Sequence, residues 1–141
     1  MSESFQVVVD VEATALDAAG LARAVPEDAF PDAEIVAEPT VFDAGLGSGP
    51  PICPLCGETG EVQFSSYLEA VESWWDGDVV DPACVVCGQY VGLNDWDWPG
   101  SPWAVGNFGL RFWNRPRLTP AEVAAIGDRL GHRVVLVYGR G

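Results

Sequence analysis

Apolar and polar positions alternate from Phe5 to Glu12, with Phe5, Val7, Val9 and Val11 on one side and Gln6, Val8, Asp10 and Glu12 on the other. A period of two over this length predicts a half-buried strand. A helix is expected next, capped by Thr14 or Asp17, with Leu21 and Val25 facing inward and Pro26 and Pro31 bracketing its exit. Residues Ala33 to Ala37 predict a short second strand before Pro39. Near residue 43 the texture changes to a loop carrying Gly45, Gly47, Gly49, Pro50 and Pro51.

Beyond that loop, Ser66-Tyr67-Leu68-Glu69 has the form of a capping box and predicts a helix start, with Leu68, Val71 and Trp75 on one face. A second Gly/Pro cluster, from Pro99 to Gly106, closes this region. Phe108, Leu110 and Phe112 alternate as in a strand. Thr119-Pro120-Ala121-Glu122 combines an N-cap, a proline at the first helical position and the glutamate of a capping box. Val123, Ile126 and Leu130 make the inner stripe of that helix and Gly131 ends it. The continuous apolar run Val134 to Tyr138 predicts a last strand covered on both faces.

The two ends share one pattern: an alternating strand opening at a phenylalanine (Phe5 or Phe108), a helix, and a short apolar segment. The expected fold class is therefore α+β, one domain spanning 1–141. Its halves, 1–44 and 101–141, each supply a strand–helix–strand unit to a ferredoxin-like antiparallel sheet, interrupted by an insert over 45–100. In that arrangement the last strand lies at an edge, so its apolar character calls for a cover from the insert or from a partner.

The insert carries the chemistry. Cys53-Pro54-Leu55-Cys56-Gly57 and Cys84-Val85-Val86-Cys87-Gly88 each place two thiols on one side of a tight turn, and the glycine lets backbone N–H groups approach the sulfurs. Two such turns complete a closed four-thiolate site. Over residues 53–88 these motifs resemble the knuckles of zinc-ribbon and rubredoxin-like domains, a resemblance that implies a structural Zn2+ held by Cys53, Cys56, Cys84 and Cys87 and no particular activity. The 27 residues between Cys56 and Cys84 exceed the roughly 15–20 of a minimal ribbon, and the expected helix accounts for the excess. Iron has the same ligand preferences; a redox dithiol pair and disulfides are the less favoured readings. A closed site has no open position for substrate, which argues against catalysis by the metal.

Charge changes the picture further. The chain of 141 residues has no lysine, seven arginines and 21 acids, a net charge of −14. Residues 1–100 hold 19 acids and only Arg23, whereas residues 101–141 hold six arginines against Glu122 and Asp128. Such a balance repels phosphate at long range and favours basic partners or simple solubility. The start, Met1-Ser2-Glu3-Ser4-Phe5, has neither a basic region nor an apolar run of signal-peptide length, and no segment reaches the roughly 20 apolar residues of a membrane span; a cytoplasmic protein is expected.

Two acidic, aromatic stretches flank the second knuckle: Trp74, Trp75, Asp76 and Asp78, and Asp95, Trp96, Asp97 and Trp98. Tryptophan dominates interface energetics and carboxylates beside it select a basic partner, so these eight residues form the candidate partner surface; packing of the insert onto the sheet is the competing explanation, and a carbohydrate-binding or acid/base site the third. His132, alone of its type, reads as a surface or cap residue, and Ser48 belongs to no nucleophile or phosphate motif. Arg111, Arg115 and Arg117, with Arg133 across the sheet, suggest an anion site or pairing with the acidic remainder. The favoured expectation is a non-enzymatic, zinc-stabilised module presenting an acidic surface to a basic protein, as an immunity protein or inhibitor of a basic toxin such as a nuclease would. A nucleic-acid-associated regulator using the C-terminal arginines and an enzyme with an unassigned carboxylate site are the alternatives.

Overall fold

A computed structural model describes residues 3–24, 30–43, 49–78 and 81–140. Val25, Pro26 and the loop residues Gly45, Gly47 and Ser48 lie outside these. The elements run β1 (Ser4–Asp10), α1 (Ala15–Ala24), β2 (Glu34–Val36), β3 (Thr40–Phe42), α2 (Glu61–Trp75), β4 (Ala104–Gly106), β5 (Phe108–Trp113), α3 (Pro120–Leu130) and β6 (Val134–Arg140). The class is α+β. Four strands form one sheet in the order β2-β5-β1-β6, every neighbouring pair antiparallel, and β3 pairs with β4 in a separate two-stranded sheet.

The alternation in β1 sorts its side chains as expected, but the strand is buried on both faces. Val8 joins Leu110, Phe112, Ala18, Ile126 and Leu130 beneath α1 and α3. Val7 and Val9 point the other way and pack with Phe42 of β3, Ala104 of β4 and Val137 of β6. The half-buried expectation for β1 is therefore corrected: the β3–β4 ribbon covers the apolar Val7 and Val9 face, and α1 and α3 cover the face of Gln6, Val8 and Asp10 that the alternation leaves to solvent. The same ribbon accounts for the apolar last strand. Leu136 and Val134 pack under the helices while Val135 and Val137 face the ribbon side. At the outer edge of β6, the N–H of Tyr138 donates to Ser101 Oγ at 2.9 Å, so a residue from the second Gly/Pro cluster satisfies part of that edge.

Two polar residues of β1 are buried on the helix side, one near each end. Gln6 donates through Nε2 to the carbonyl of Pro116 (3.0 Å) and accepts from the N–H of Leu118 (2.8 Å), fixing the chain that leads into α3. Asp10, fully buried, accepts through Oδ1 from the N–H groups of Glu12 (3.0 Å) and Ala13 (2.9 Å), and its Oδ2 lies 2.6 Å from Nδ1 of His132. His132 is thus the clamp between β1 and the start of β6, not a free surface residue. Helix ends follow their sequence signals. Thr14 and Asp17 exchange side-chain bonds with each other's backbone N–H, and Thr119 and Glu122 form the capping box of α3. No helix among the described residues is long and apolar enough to cross a membrane.

The insert helix begins earlier than its sequence suggested. α2 starts at Glu61, after Gly60, and not at Ser66. Ser66 instead donates its hydroxyl to the carbonyl of Ala83 (3.3 Å), at the base of the second knuckle. The buried face of α2 is Gln63, Tyr67, Ala70 and Val71, whereas Trp75 is 61% exposed. The helix register is set by the knuckle it touches rather than by the local capping pattern.

Candidate metal centre

The two knuckles are copies of one backbone device. Cys53 N–H donates to the carbonyl of Glu58 (2.9 Å) and Gly57 N–H to that of Cys53 (2.8 Å); Cys84 and Gly88 repeat these bonds with Gln89 and Cys84 (2.9 and 3.0 Å). Gly57 and Gly88 take φ of 79° and 75°, a left-handed conformation that any side chain would strain. Each turn is anchored at its base. Ile52 and Asp97 exchange both backbone bonds (2.7 and 3.1 Å), and Ala83 bridges to Tyr90.

These anchors bring the four cysteines together, with all Sγ atoms within 4.8 Å of one another. Cys53 Sγ lies 3.9 Å from Cys87 Sγ, and Cys56 Sγ 3.6 Å from Cys84 Sγ. A tetrahedron with metal–sulfur bonds of about 2.3 Å has edges of about 3.8 Å, so the donor set fits a four-thiolate ion such as zinc. The thiols are unbonded to one another. Cys53 and Cys84 are buried, and Cys56 and Cys87 lie at the surface.

Gln63, which sequence reasoning did not single out, supports the centre. It is 1% exposed, and its Nε2 donates to Cys84 Sγ at 3.1 Å while its Oε1 accepts from the N–H of Val85 at 3.0 Å. The signal for it was a polar residue on the inner face of α2, one turn before the buried Tyr67. The N–H groups of Val86 and Cys87 also point at Cys84 Sγ, at 3.4 and 3.5 Å. Burial works against ionisation of Cys84, but the donors from Cys87, Gln63 and Val86, with Cys56 beside it, bring the thiol down to about 6. Cys56 goes the other way: a bond within its own turn to Glu58 favours the thiolate, yet burial and the three neighbouring sulfurs push it up to about 12. Cys87 is likewise raised, by burial and Cys84, against the lowering bond to Gln89. Four sulfurs this close cannot all ionise unaided, and a divalent cation removes that conflict. Replacing Gln63 with leucine is expected to lower metal affinity roughly 10- to 100-fold, read by competition with a chromogenic chelator, because it removes an outer-shell donor and strands the Val85 N–H.

Around this centre the aromatic residues pack as a core. Tyr67 meets Trp98 edge-on at 5.1 Å and Trp96 and Trp103 at 6.3 and 6.2 Å, while Trp98 and Trp103 stack at 6.1 Å. Tyr67 Oη donates to the carbonyl of Leu93, and burial raises its pKa. Comparison with known families, curated proteins and solved structures yields no match.

The eight candidate partner residues do not share one face. Trp96 is 5% exposed and donates its indole N–H to the carbonyl of Val91, so it belongs to the insert core and not to a partner surface. Trp98 is half-buried in the same aromatic cluster. Asp97 is exposed, on the opposite side of its strand-like segment. Asp95 pairs with Arg133 at 2.6 Å, beside a cleft of about 260 Å³ that also takes Trp74, Glu12 and Asp81. Trp75 faces elsewhere, onto an open groove of about 810 Å³ formed with Glu38, Pro39, Thr40 and Val41 of the β3 segment, and Asp76 and Asp78 are exposed beside it.

Of the four arginines only Arg115 and Arg117 come together, lining a small pocket of about 170 Å³ with Gln6 and Tyr138. Arg111 pairs with Glu34 at 3.0 Å, Arg115 stacks over Phe112 and Arg117 over Tyr138 (5.0 and 3.6 Å to the ring centroids). Arg133 sits at the far end of the sheet, next to the Asp10 terminus of β1, so the neighbourhood expected for it is not formed.

Proposed function

We propose that this protein is a non-enzymatic, zinc-stabilised acidic module that binds a basic protein, in the manner of an immunity protein or an inhibitor of a basic toxin such as a nuclease. One observation carries the reading. Residues 45–100 contain nine acids and no arginine, lysine or histidine, and among the described residues only Asp95 of these nine meets a cation. A field of one sign this complete accelerates encounter with an oppositely charged partner. The exposed Trp75, flanked by Asp76 and Asp78, supplies an aromatic anchor over an apolar groove.

We read the scaffold as ferredoxin-like, halves 1–44 and 101–141 around an insert at 45–100. The strand order β2-β5-β1-β6, its antiparallel registers and the packing of α1 and α3 against one face support this. The β3–β4 pairing closes the base of the insert. Thiolate ligands suit a reducing compartment, in keeping with a cytoplasmic location. The nucleic-acid reading is the weaker one, because Arg111 is engaged by Glu34 and Arg133 by Asp95.

The test is affinity capture from source cells across a salt series, with captured proteins identified by mass spectrometry. A basic protein released by salt is expected, with about tenfold weaker binding to the double variant Asp76→Asn/Asp78→Asn, equivalent to about 1.4 kcal/mol. Salt-insensitive capture of acidic or neutral proteins alone would contradict the proposal.

A further inference from the structure

We infer that the tips of the two cysteine knuckles form an apolar docking surface for a basic, amphipathic segment of a partner protein, distinct from the Trp75 groove. The inference rests on the basic-partner reading above and adds where the partner is held. Large apolar side chains on this molecule's surface are not scattered evenly. Among the described residues nine are exposed, and five of these (Leu55, Val62, Val85, Val86 and Tyr90) belong to the knuckles or the chain bordering them.

Leu55 lies between Cys53 and Cys56, and Val85 and Val86 between Cys84 and Cys87. Because the four sulfurs converge within 4.8 Å, the two tips are held side by side. Tyr90 is 73% exposed at the base of the second knuckle, in the bridge to Ala83, and Val62 is 69% exposed next to Gln63, whose amide grips the Val85 N–H. Four x positions of Cys-x-x-Cys turns need no apolar residue for metal binding. Polar residues there would hold the ion equally well and avoid exposing apolar surface to water.

Charge decides the occupant. Glu58 and Glu61 are exposed at this end, and no cation occurs anywhere in residues 45–100. Four thiolates around a divalent ion leave the centre itself a dianion. A second copy of this chain would bring the same negative face and be repelled, so self-association through the tips is disfavoured. A helix or loop with leucine-like residues on one side and arginine or lysine on its flanks satisfies both components.

The probe is a synthetic amphipathic arginine–leucine peptide, matched by an arginine–serine peptide of equal charge and by a leucine–serine peptide without charge. Each is titrated into the isotope-labelled full chain as purified with its metal, and backbone amide shifts are followed at low salt. The arginine–leucine peptide is expected to shift Leu55, Val85, Val86 and Tyr90 and to bind roughly tenfold tighter than either control, over the arginine–serine peptide by burying apolar side chains and over the leucine–serine peptide by charge. Leu55→Ser and, separately, Val86→Ser should abolish that preference while metal stoichiometry and tryptophan fluorescence stay unchanged. Should a tip variant lose metal, Tyr90→Ser, outside both turns, reads the same preference. Equal binding of the two charged peptides, or shifts confined to Asp76 and Asp78, would overturn the docking surface and leave the basic-partner reading intact. Equal binding of the uncharged peptide would overturn the charge selection. Binding by none of the three would overturn the basic-partner reading and this inference together.

Discussion

Stripping the metal, or replacing Cys84 with serine, is expected to unfold the insert, with loss of the near-ultraviolet circular dichroism of its packed tryptophans. Cys84 is buried, receives the Gln63 amide and two backbone N–H groups, and faces Cys56 at 3.6 Å. The aromatic core of the insert is built directly on these sulfurs. Its buried cluster includes Cys53 and Cys84 themselves, alongside Tyr67, Val71 and Trp96. Structural zinc in finger-sized units supplies on the order of 10 kcal/mol of apparent folding free energy, enough to decide whether such a unit is folded. The cluster under α1 and α3 draws on no insert residue, so far-ultraviolet signal from the four-stranded sheet should survive. Full retention of the near-ultraviolet signal after chelation would show that the cysteines do not organise the insert.

Asp10→Ala carries the second large effect. Removing this carboxylate leaves the N–H groups of Glu12 and Ala13 without their acceptor and His132 without its partner, at 0% exposure of the Asp10 side chain. Two N–H groups left unpaired, beside a His132 that is itself 27% exposed, cost about 3 kcal/mol together, which at roughly 2–4 °C per kcal/mol lowers the melting temperature by roughly 10 °C. Asp10→Asn keeps an acceptor for the two N–H groups and should lose less. The wild-type protein should also show the pair in its pH dependence. The hydrogen bond to Asp10 raises the pKa of His132 against the opposing effect of burial, with Asp10, Glu12 and Asp17 adding favourable charge. A raised histidine stabilises fully below its unfolded value of about 6.5, and that contribution is lost as pH rises through the higher folded value. Thermal melts should therefore lose this increment on the alkaline side of about 6.5. His132→Gln should remove the dependence; an identical profile in that variant would disprove the clamp.

Local signals were readable where one short stretch decides the structure. Thr119, Pro120, Glu122 and Gly131 set both ends of α3 without help from elsewhere, and each Cys-x-x-Cys-Gly turn closes on its own backbone bonds. What escaped reading depends on partners distant in sequence. β3 and β4 have three residues each, too few for any period, and they exist because Thr40–Phe42 meets Ala104–Gly106 across the insert. Their pairing covers the Val7 and Val9 face of β1, which the alternation marks as apolar without saying what packs on it. Asp10 and His132 are 122 positions apart, and Gln63 finds Cys84 across 21. The start of α2 was misplaced because Ser66-Tyr67-Leu68-Glu69 satisfies a local rule while the knuckle dictates the register. Trp96 and Trp75 look alike in sequence, yet one fills the insert core and the other lies open to solvent.

Native mass spectrometry of the full chain, purified from cells without added metal, tests the central claim most directly. One zinc ion per chain, lost together with the folded insert when Cys84 becomes serine, is the predicted result. A metal-free mass lowered by the hydrogens of two disulfides would contradict the structural centre and return both Cys-x-x-Cys turns to thiol–disulfide chemistry.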